Sequence, residues 1–383
     1  MKILWLAPFP YSSKTTHPAP WISSLAMELV QLKDVEITIL NYSPYCKQEV
    51  EFFEYAPKIK LVFVKSPGLL MDLCTLGSLR IKRLKKQIKN CGPFNVIHIH
   101  GSEHQYEYCV SKNDKHVVMS IQGILSEYFK YLKPAGSIKK YLSSYIYSRL
   151  ELKGLKRLNN FSCRTNWDKS IVQDSNPQAK VFNIWEVIRT EFKLNDKASK
   201  GNNIYFTGGS NPLKGLDTAI NAFTVFKKRI QSDVQLIVVG NVKEADRERI
   251  QKNVEDEAVL YSIRFTGIIS AAEIIEIQRN SFCHLHPSLI DNSPNSICES
   301  QLMGLPVIAT PTGGVTSLVE NGVTGFLATG VNEIIESLVS LYTDNNLWNS
   351  ISRQSCIVAG ERHNRKTIVN DTMQMYNHLI NKN

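Results

Sequence analysis

A strand-helix-strand rhythm that runs twice along the chain is the feature that most constrains its fold. Ile3–Ala7 is a short apolar run, Trp21–Leu32 has a helical period, and Val35–Leu40 is apolar again. Further short apolar runs stand at Val96–His100, Val117–Ile121 and Phe161–Arg164. Such alternation predicts a parallel sheet wound on both faces. The rhythm restarts at Asn203–Thr207, continues through Val234–Gly240, Ile263–Gly267, Phe282–His286 and Pro306–Thr310, and closes near Gly325–Leu327. Between the two halves, Glu191–Asn202 is polar and lacks an apolar period, as a linker does. The chain is therefore expected to be α/β, with one doubly wound domain over residues 1–190 and a second over 203–360.

A length of 383 residues leaves room for two cores. Pro8, Pro10, Pro18 and Pro20 interrupt the opening segment before a signal-peptide core develops, so Met1–Ala7 reads as a buried strand. No run of about 18 apolar residues occurs, and no membrane-spanning helix is expected. The eight cysteines include no Cys-x-x-Cys pair, which points away from a zinc ribbon or a disulfide framework and fits reduced thiols in a cytoplasm. The net charge of +10 is confined to the first half: residues 1–190 carry 27 Lys/Arg against 15 Asp/Glu, and residues 191–383 carry 18 against 20. A basic domain beside a near-neutral one implies an anionic partner, either a phospholipid surface or a phosphate-bearing substrate. No nucleic-acid-binding motif accompanies the charge, and nucleic acid is not an expected partner.

Open α/β sheets bind ligands beyond the carboxyl ends of their strands. The most informative such segment is His286–Thr310, which reads as strand end, loop, helix, turn and next strand. Ser293 or Asn295 is suited to cap a helix beginning near Ser296, with Pro294 before or inside its first turn. Free backbone N–H groups there would suit a diphosphate. Glu299 lies within the helix, where a carboxylate can accept hydrogen bonds from vicinal ribose hydroxyls, and Asp291 precedes it by eight residues, in the loop. The same two acids also suit a solvated loop and a helix surface. Phe206–Gly215 follows the first strand of the second half and contains Gly208, Gly209, Ser210 and Lys214. Its Lys-Gly order matches neither a P-loop nor Gly-x-Gly-x-x-Gly.

Asp291-x7-Glu299, followed by Gly304-x-Pro306-Val307-Ile308-Ala309-Thr310, Gly313-Gly314-Val315 and Asn321-Gly322-x-x-Gly325-Phe326, resembles the signature of retaining glycosyltransferase family 4. That resemblance implies the GT-B architecture, two Rossmann-like doubly wound parallel-sheet domains facing a central cleft, with a C-terminal helix over 361–383 crossing back to the first domain. It implies a nucleotide-diphosphate sugar as substrate, a glycan or lipid-diphosphate-linked acceptor, and no metal or other cofactor. Carried onto this chain, the donor site comprises Gly208, Gly209, Ser210, Lys214, Asp291, Asn292, Ser293, Pro294, Asn295, Ser296, Ile297 and Glu299. Asp291, Glu299 and Lys214 form its catalytic set, Lys214 reaching the diphosphate, Glu299 the ribose and Asp291 the sugar. A fixed cation there stabilises the charge that develops on the departing diphosphate. The family often has an arginine several residues before this lysine; here Gly208 to Ser210 stand instead, and Arg189 or Arg164 is the candidate replacement.

In the first half, the resemblance places His100, Gly101, Gln122 and Gly123 on the acceptor side. Gln122 stands where many members carry a histidine, and it cannot titrate. His98 and His100 share a strand face, where packing is expected ahead of metal binding. The Gly-Gly turn common after the first strand is replaced by His17-Pro18-Ala19-Pro20-Trp21. Two basic segments, Leu79–Lys89 and Tyr128–Leu158, suit docking on an anionic bilayer, and equally suit packed helices with solvated basic faces. The expected setting is cytoplasmic, peripheral to the inner face of the membrane if those segments dock, in bacterial surface polysaccharide synthesis. A nucleotide-sugar 2-epimerase and a non-catalytic nucleotide-sugar-binding protein are the alternatives.

Overall fold

β1 (Lys2–Leu6) is buried from Ile3 to Leu6 because strands lie on both sides of it and helices on both faces. The computed structural model describes residues 1–11, 20–132, 138–195 and 199–381. His17 to Ala19 of the first-strand loop, residues 133–137 of the second basic segment and residues 196–198 of the linker lie outside the described residues. The chain divides into two units, Met1–Val187 with His363–Asn383, and Ile188–Arg362. Glu191 to Asn195 of the expected linker thus group with the second unit.

Among the described residues, the first unit's sheet adds β2 (Glu36–Ser43), β3 (Val50–Ala56), β4 (Ile59–Lys65), β5 (Val96–His100), β6 (Val117–Ser120), β7 (Asn160–Cys163) and β8 (Lys180–Asn183). Their order is β3-β4-β2-β1-β5-β6-β7-β8, parallel except that β3 runs antiparallel to β4. The sequence rhythm does not reveal β3 and β4. Their register sets Val50 opposite Val64 and Glu54 opposite Lys60, pairs that favour a hairpin. The helix Arg365–Ile380 completes this unit: Ile368, Met375, Tyr376 and Leu379 join the core formed with Ile3 and Trp5, and the Tyr376 hydroxyl lies 3.2 Å from Trp5 Nε1. Each such buried side chain stabilises the fold by about 1.5–3 kcal/mol relative to exposure.

The second unit's sheet has β9 (Asn203–Thr207), β10 (Leu236–Val239), β11 (Ile263–Gly267), β12 (Ser281–His286), β13 (Val307–Ala309) and β14 (Gly325–Leu327) in the order β11-β10-β9-β12-β13-β14. All neighbours are parallel. Counted from the first strand of the unit this is the Rossmann order 3-2-1-4-5-6. Helix starts are set locally: Ser270 and Glu273 form a capping box ahead of the helix Ala271–Arg279, the Ser-x-x-Glu pattern visible in the sequence.

Two sequence expectations are corrected. The helix after β12 is Asn295–Leu302 with Pro294 at its N-cap, and neither Ser293 nor Asn295 caps it with a side chain. In the basic helix Ser78–Cys91, Arg80 is not part of the solvated basic face; it is buried, 3.4 Å from Asp72 and donating to Gln105 at 2.9 Å. Leu84 is buried on that same inner side, while Lys82, Arg83, Lys85, Lys86 and Lys89 are exposed.

Candidate functional site

β9 and β12 are the adjacent strands from which the connections of the second unit depart in opposite directions, so the loops following them border the crevice of the sheet. Backbone contact joins these loops: Leu289 N donates to Leu213 O at 2.8 Å. Gly215 has φ +73°, and a Cβ there would lie 2.0 Å from Pro287 O. Gly209 has φ +52° and would place a Cβ 2.3 Å from Asn241 O. Both positions need glycine for left-handed backbone and for close approach. Ser210 Oγ accepts from Lys243 N at 2.8 Å and ties the β9 loop to the loop after β10.

This framework brings Lys214 and Asp291 together. Lys214 Nζ donates to Asp291 Oδ2, and His286 Nε2 lies 3.3 Å from the same oxygen and 2.9 Å from Ser288 Oγ. Burial alone would raise the Asp291 carboxyl, but Lys214 and His286 outweigh it and hold the group well below the usual carboxylate range. Asp291 is therefore anionic at any physiological pH. Its own backbone carbonyl accepts from Gly314 N at 2.9 Å, which fixes the loop from the other side. Gly208 lies against the lysine stem, where a Cβ would come 2.6 Å from Lys214 Cγ.

Glu299 stands in the helix Asn295–Leu302 and pairs with Arg189. Arg189 Nε donates to Oε1 at 2.7 Å and Nη2 to Oε2 at 3.0 Å. Burial pushes the Glu299 carboxyl up, and Arg189 opposes that. The rest of the expected donor loop is packed: Asn292, Ser293, Pro294 and Ile297 are buried, with Asn295 and Ser296 half-buried. Asn295 Oδ1 is buried without a hydrogen-bond partner at the start of the helix. Arg164, the other candidate for the missing cation, belongs to the first unit, 2.6 Å from Glu186 and donating to the carbonyls of Ile121 and Gln122.

At the carboxyl ends of β5 and β6, which pair directly, His100, Gly101, Gln122 and Gly123 lie together. His98 contacts Tyr376 and Ser120 through its two ring nitrogens, at 2.7 and 2.6 Å. His100 stacks on His98 at 4.1 Å, and its Nε2 has no hydrogen-bond partner. Burial lowers both imidazoles, His98 to about 3, so both are neutral. Among the described residues no group of three or more His, Cys, Asp and Glu could hold a metal ion. Sequence reasoning missed Glu103, whose Oε1 accepts from Gly123 N at 2.8 Å. Burial, with Glu151 adding to it, pushes that carboxyl up to about 7. The only signal in the sequence is an acid three residues beyond a strand end.

A Lys-Asp pair at the switch point of a 3-2-1-4-5-6 sheet, with a buried glutamate on the next helix, offers N–H donors to an anion and carboxylate oxygens to hydroxyl groups. Residues 187–363 match the family model of Glycosyl transferases group 1. An uncharacterised glycosyltransferase of Methanocaldococcus jannaschii is 25% identical over 199 residues, 51% of this chain and 50% of that one. The match to the trehalose synthase of Pyrococcus horikoshii, 28% identical, covers 44% of this chain and 41% of that protein. The chain thus spans about half or less of the length of these curated relatives. In fold, sucrose-phosphate synthase from Thermosynechococcus elongatus superposes with a TM-score of 0.77 at 15% identity, over 99% of this chain and 98% of that one. The chain has the GT-B fold and is related to glycosyltransferases.

Proposed function

We propose that this chain is a retaining glycosyltransferase of family 4 type, moving a sugar from a nucleotide-diphosphate sugar to a hydroxyl of a glycan or lipid-linked acceptor in bacterial surface polysaccharide synthesis. The observation that carries the reading is the Lys214–Asp291 pair at the switch point of the second sheet. An ammonium has three N–H donors, and one is used by Asp291, which leaves two for a diphosphate. As the anomeric C–O bond breaks, its electron pair leaves with the nucleotide diphosphate, and Lys214 stabilises that charge. The acceptor oxygen forms the new bond and passes its proton to the departing diphosphate oxygen. Asp291, fixed as an anion, accepts hydrogen bonds from the sugar, and Glu299 binds the ribose. His100, Gly101, Gln122 and Gly123 supply acceptor contacts from the first unit.

The exposed basic face of the helix Ser78–Cys91 supports docking on the anionic inner face of a cytoplasmic membrane. No described helix is long and apolar enough to cross a membrane. The activity is tested by incubating the chain with nucleotide sugars, alone and with hydroxyl acceptors, and following nucleotide release and product configuration by NMR. Transfer predicts release that depends on the acceptor and a product of retained configuration. Equal release without acceptor, with an epimerised free sugar, would identify a 2-epimerase instead, and binding without turnover a non-catalytic protein.

A further inference from the structure

The segment leading into the basic helix of the first unit turns large apolar side chains toward solvent. Leu70 is 73% and Met71 55% exposed in the helix Leu69–Cys74, and Leu76 and Leu79 are exposed in the turn after it and the first turn of the helix Ser78–Cys91. Leu76 takes a left-handed backbone, φ +48°, which strains a leucine and suits asparagine or glycine. In water an exposed leucine returns nothing for that strain. Charge follows the same segment. From Gly68 to Cys91 the only acid is Asp72, buried beside Arg80, while Lys82, Arg83, Lys85, Lys86 and Lys89 are all exposed.

The helix Ile138–Leu155 has the same character. Leu142, Tyr145 and Ile146 are exposed at helical spacing with Arg149 beside them, and the only acid, Glu151, is buried. Both apolar stretches lie at the carboxyl end of the first sheet. The first leaves the carboxyl end of β4, which runs parallel to β2, and Arg80 ties it to Gln105 in the loop after β5. In the second, Glu151 accepts from Ser102 Oγ, Leu125 N and Ser126 N, just beyond β5 and β6. The chain then returns to the start of β7 at Asn160, so the helical turns before Glu151 extend past the strand ends.

We propose that these two apolar stretches insert into the interface of an anionic bilayer while the cations of the helix Ser78–Cys91 bind its headgroups. The inference rests on the docking reading of that helix and adds a second force to it, because attachment by inserted side chains survives salt whereas attachment by surface charge does not. The rim favours lipid over protein as the occupant. Protein interfaces are depleted in lysine, whereas lysine beside leucine and aromatic side chains is the composition of helices that lie in an anionic membrane surface. Insertion here sets the carboxyl end of the first sheet, with His100, Gly101, Gln122 and Gly123, on the membrane side.

The test is co-sedimentation of the full chain with mixed phosphatidylglycerol–phosphatidylcholine vesicles at about 0.1 M and about 1 M salt, where the Debye length falls from about 10 Å to about 3 Å. Wild type is compared with two apolar variants, Leu70→Gln/Met71→Gln/Leu76→Asn and Leu142→Gln/Ile146→Gln, and with Lys82→Gln/Lys85→Gln/Lys86→Gln. All these positions are exposed, so each variant is expected to fold, which thermal unfolding checks. Wild type should bind at both salt concentrations. Each apolar variant should bind about tenfold or more weakly at low salt and fall further behind wild type at high salt. The lysine variant should lose about 100-fold at low salt and match wild type at high salt, where its charges are screened. Release of wild type by high salt, or wild-type binding by either apolar variant, overturns the inference and leaves docking by charge intact. Absence of wild-type binding at both salt concentrations refutes docking and insertion together, and a dimer that the apolar variants then abolish would assign the surface to a second copy of this chain.

Discussion

Lys214→Met is expected to lower nucleotide-sugar turnover roughly 100- to 1000-fold, the loss that follows removal of a donor fixed on developing negative charge. The variant has a second consequence, because Asp291 lies beside it with its side chain only 14% exposed. Removing one partner of a buried ion pair costs about 3–5 kcal/mol by leaving the other uncompensated. His286 remains near Asp291 Oδ2 and offsets part of that cost. The two effects separate in the double variant Lys214→Met/Asp291→Asn. Neutralising Asp291 should restore much of the thermal stability while turnover stays low. Recovery of turnover in the double variant would mean that Lys214 serves only to balance Asp291.

Raising the pH from about 6.5 to about 8 is expected to destabilise the first unit, and Glu107→Gln to remove much of that loss. Glu107 is 1% exposed, and neither carboxylate oxygen has a hydrogen-bond partner. Burial, reinforced by Glu151 and opposed by Arg157 and Arg80, pushes its carboxyl from 4.5 up to about 8. The folded state therefore holds this proton more tightly than the unfolded state. Its contribution is fully present below about pH 4.5 and is lost as pH rises through about 8, on the order of 5 kcal/mol in total. The buried histidines act in the opposite direction. Burial lowers His98 from 6.5 to about 3 and His104 from 6.5 to about 4, so their contribution is present above pH 6.5 and lost as pH falls below it. Chemical denaturation across this range should give a stability maximum near mildly acidic pH in the wild type and a flatter alkaline side in Glu107→Gln. Parallel curves for the two proteins would contradict the assignment.

The second unit was the more legible in sequence because its six strands are short runs separated by helical or turn connections, and periodicity reports that pattern directly. The loop-helix segment carrying Asp291 and Glu299 was legible for the same reason. The β3–β4 hairpin was not, since Val50–Ala56 alternates aromatics with glutamates on an exposed edge and carries no buried run. Side-chain partnerships were beyond reach. Lys214 and Asp291 are 77 residues apart, and nothing local to either specifies the pair. Arg80 reads as one of several basic residues on a helix, yet Asp72 and Gln105 take it into the interior. Glu103 and Glu107 look like ordinary loop acids, and their raised carboxyls come from burial by elements distant in the chain.

The most direct measurement is calorimetric titration of the wild-type chain and Glu299→Ala with UDP, GDP, ADP and their sugar conjugates. Saturable binding of one nucleotide, weakened about tenfold or more in Glu299→Ala, is the predicted result and would name the base. Binding of none, or binding that Glu299→Ala leaves unchanged, would contradict the donor site described for the second unit.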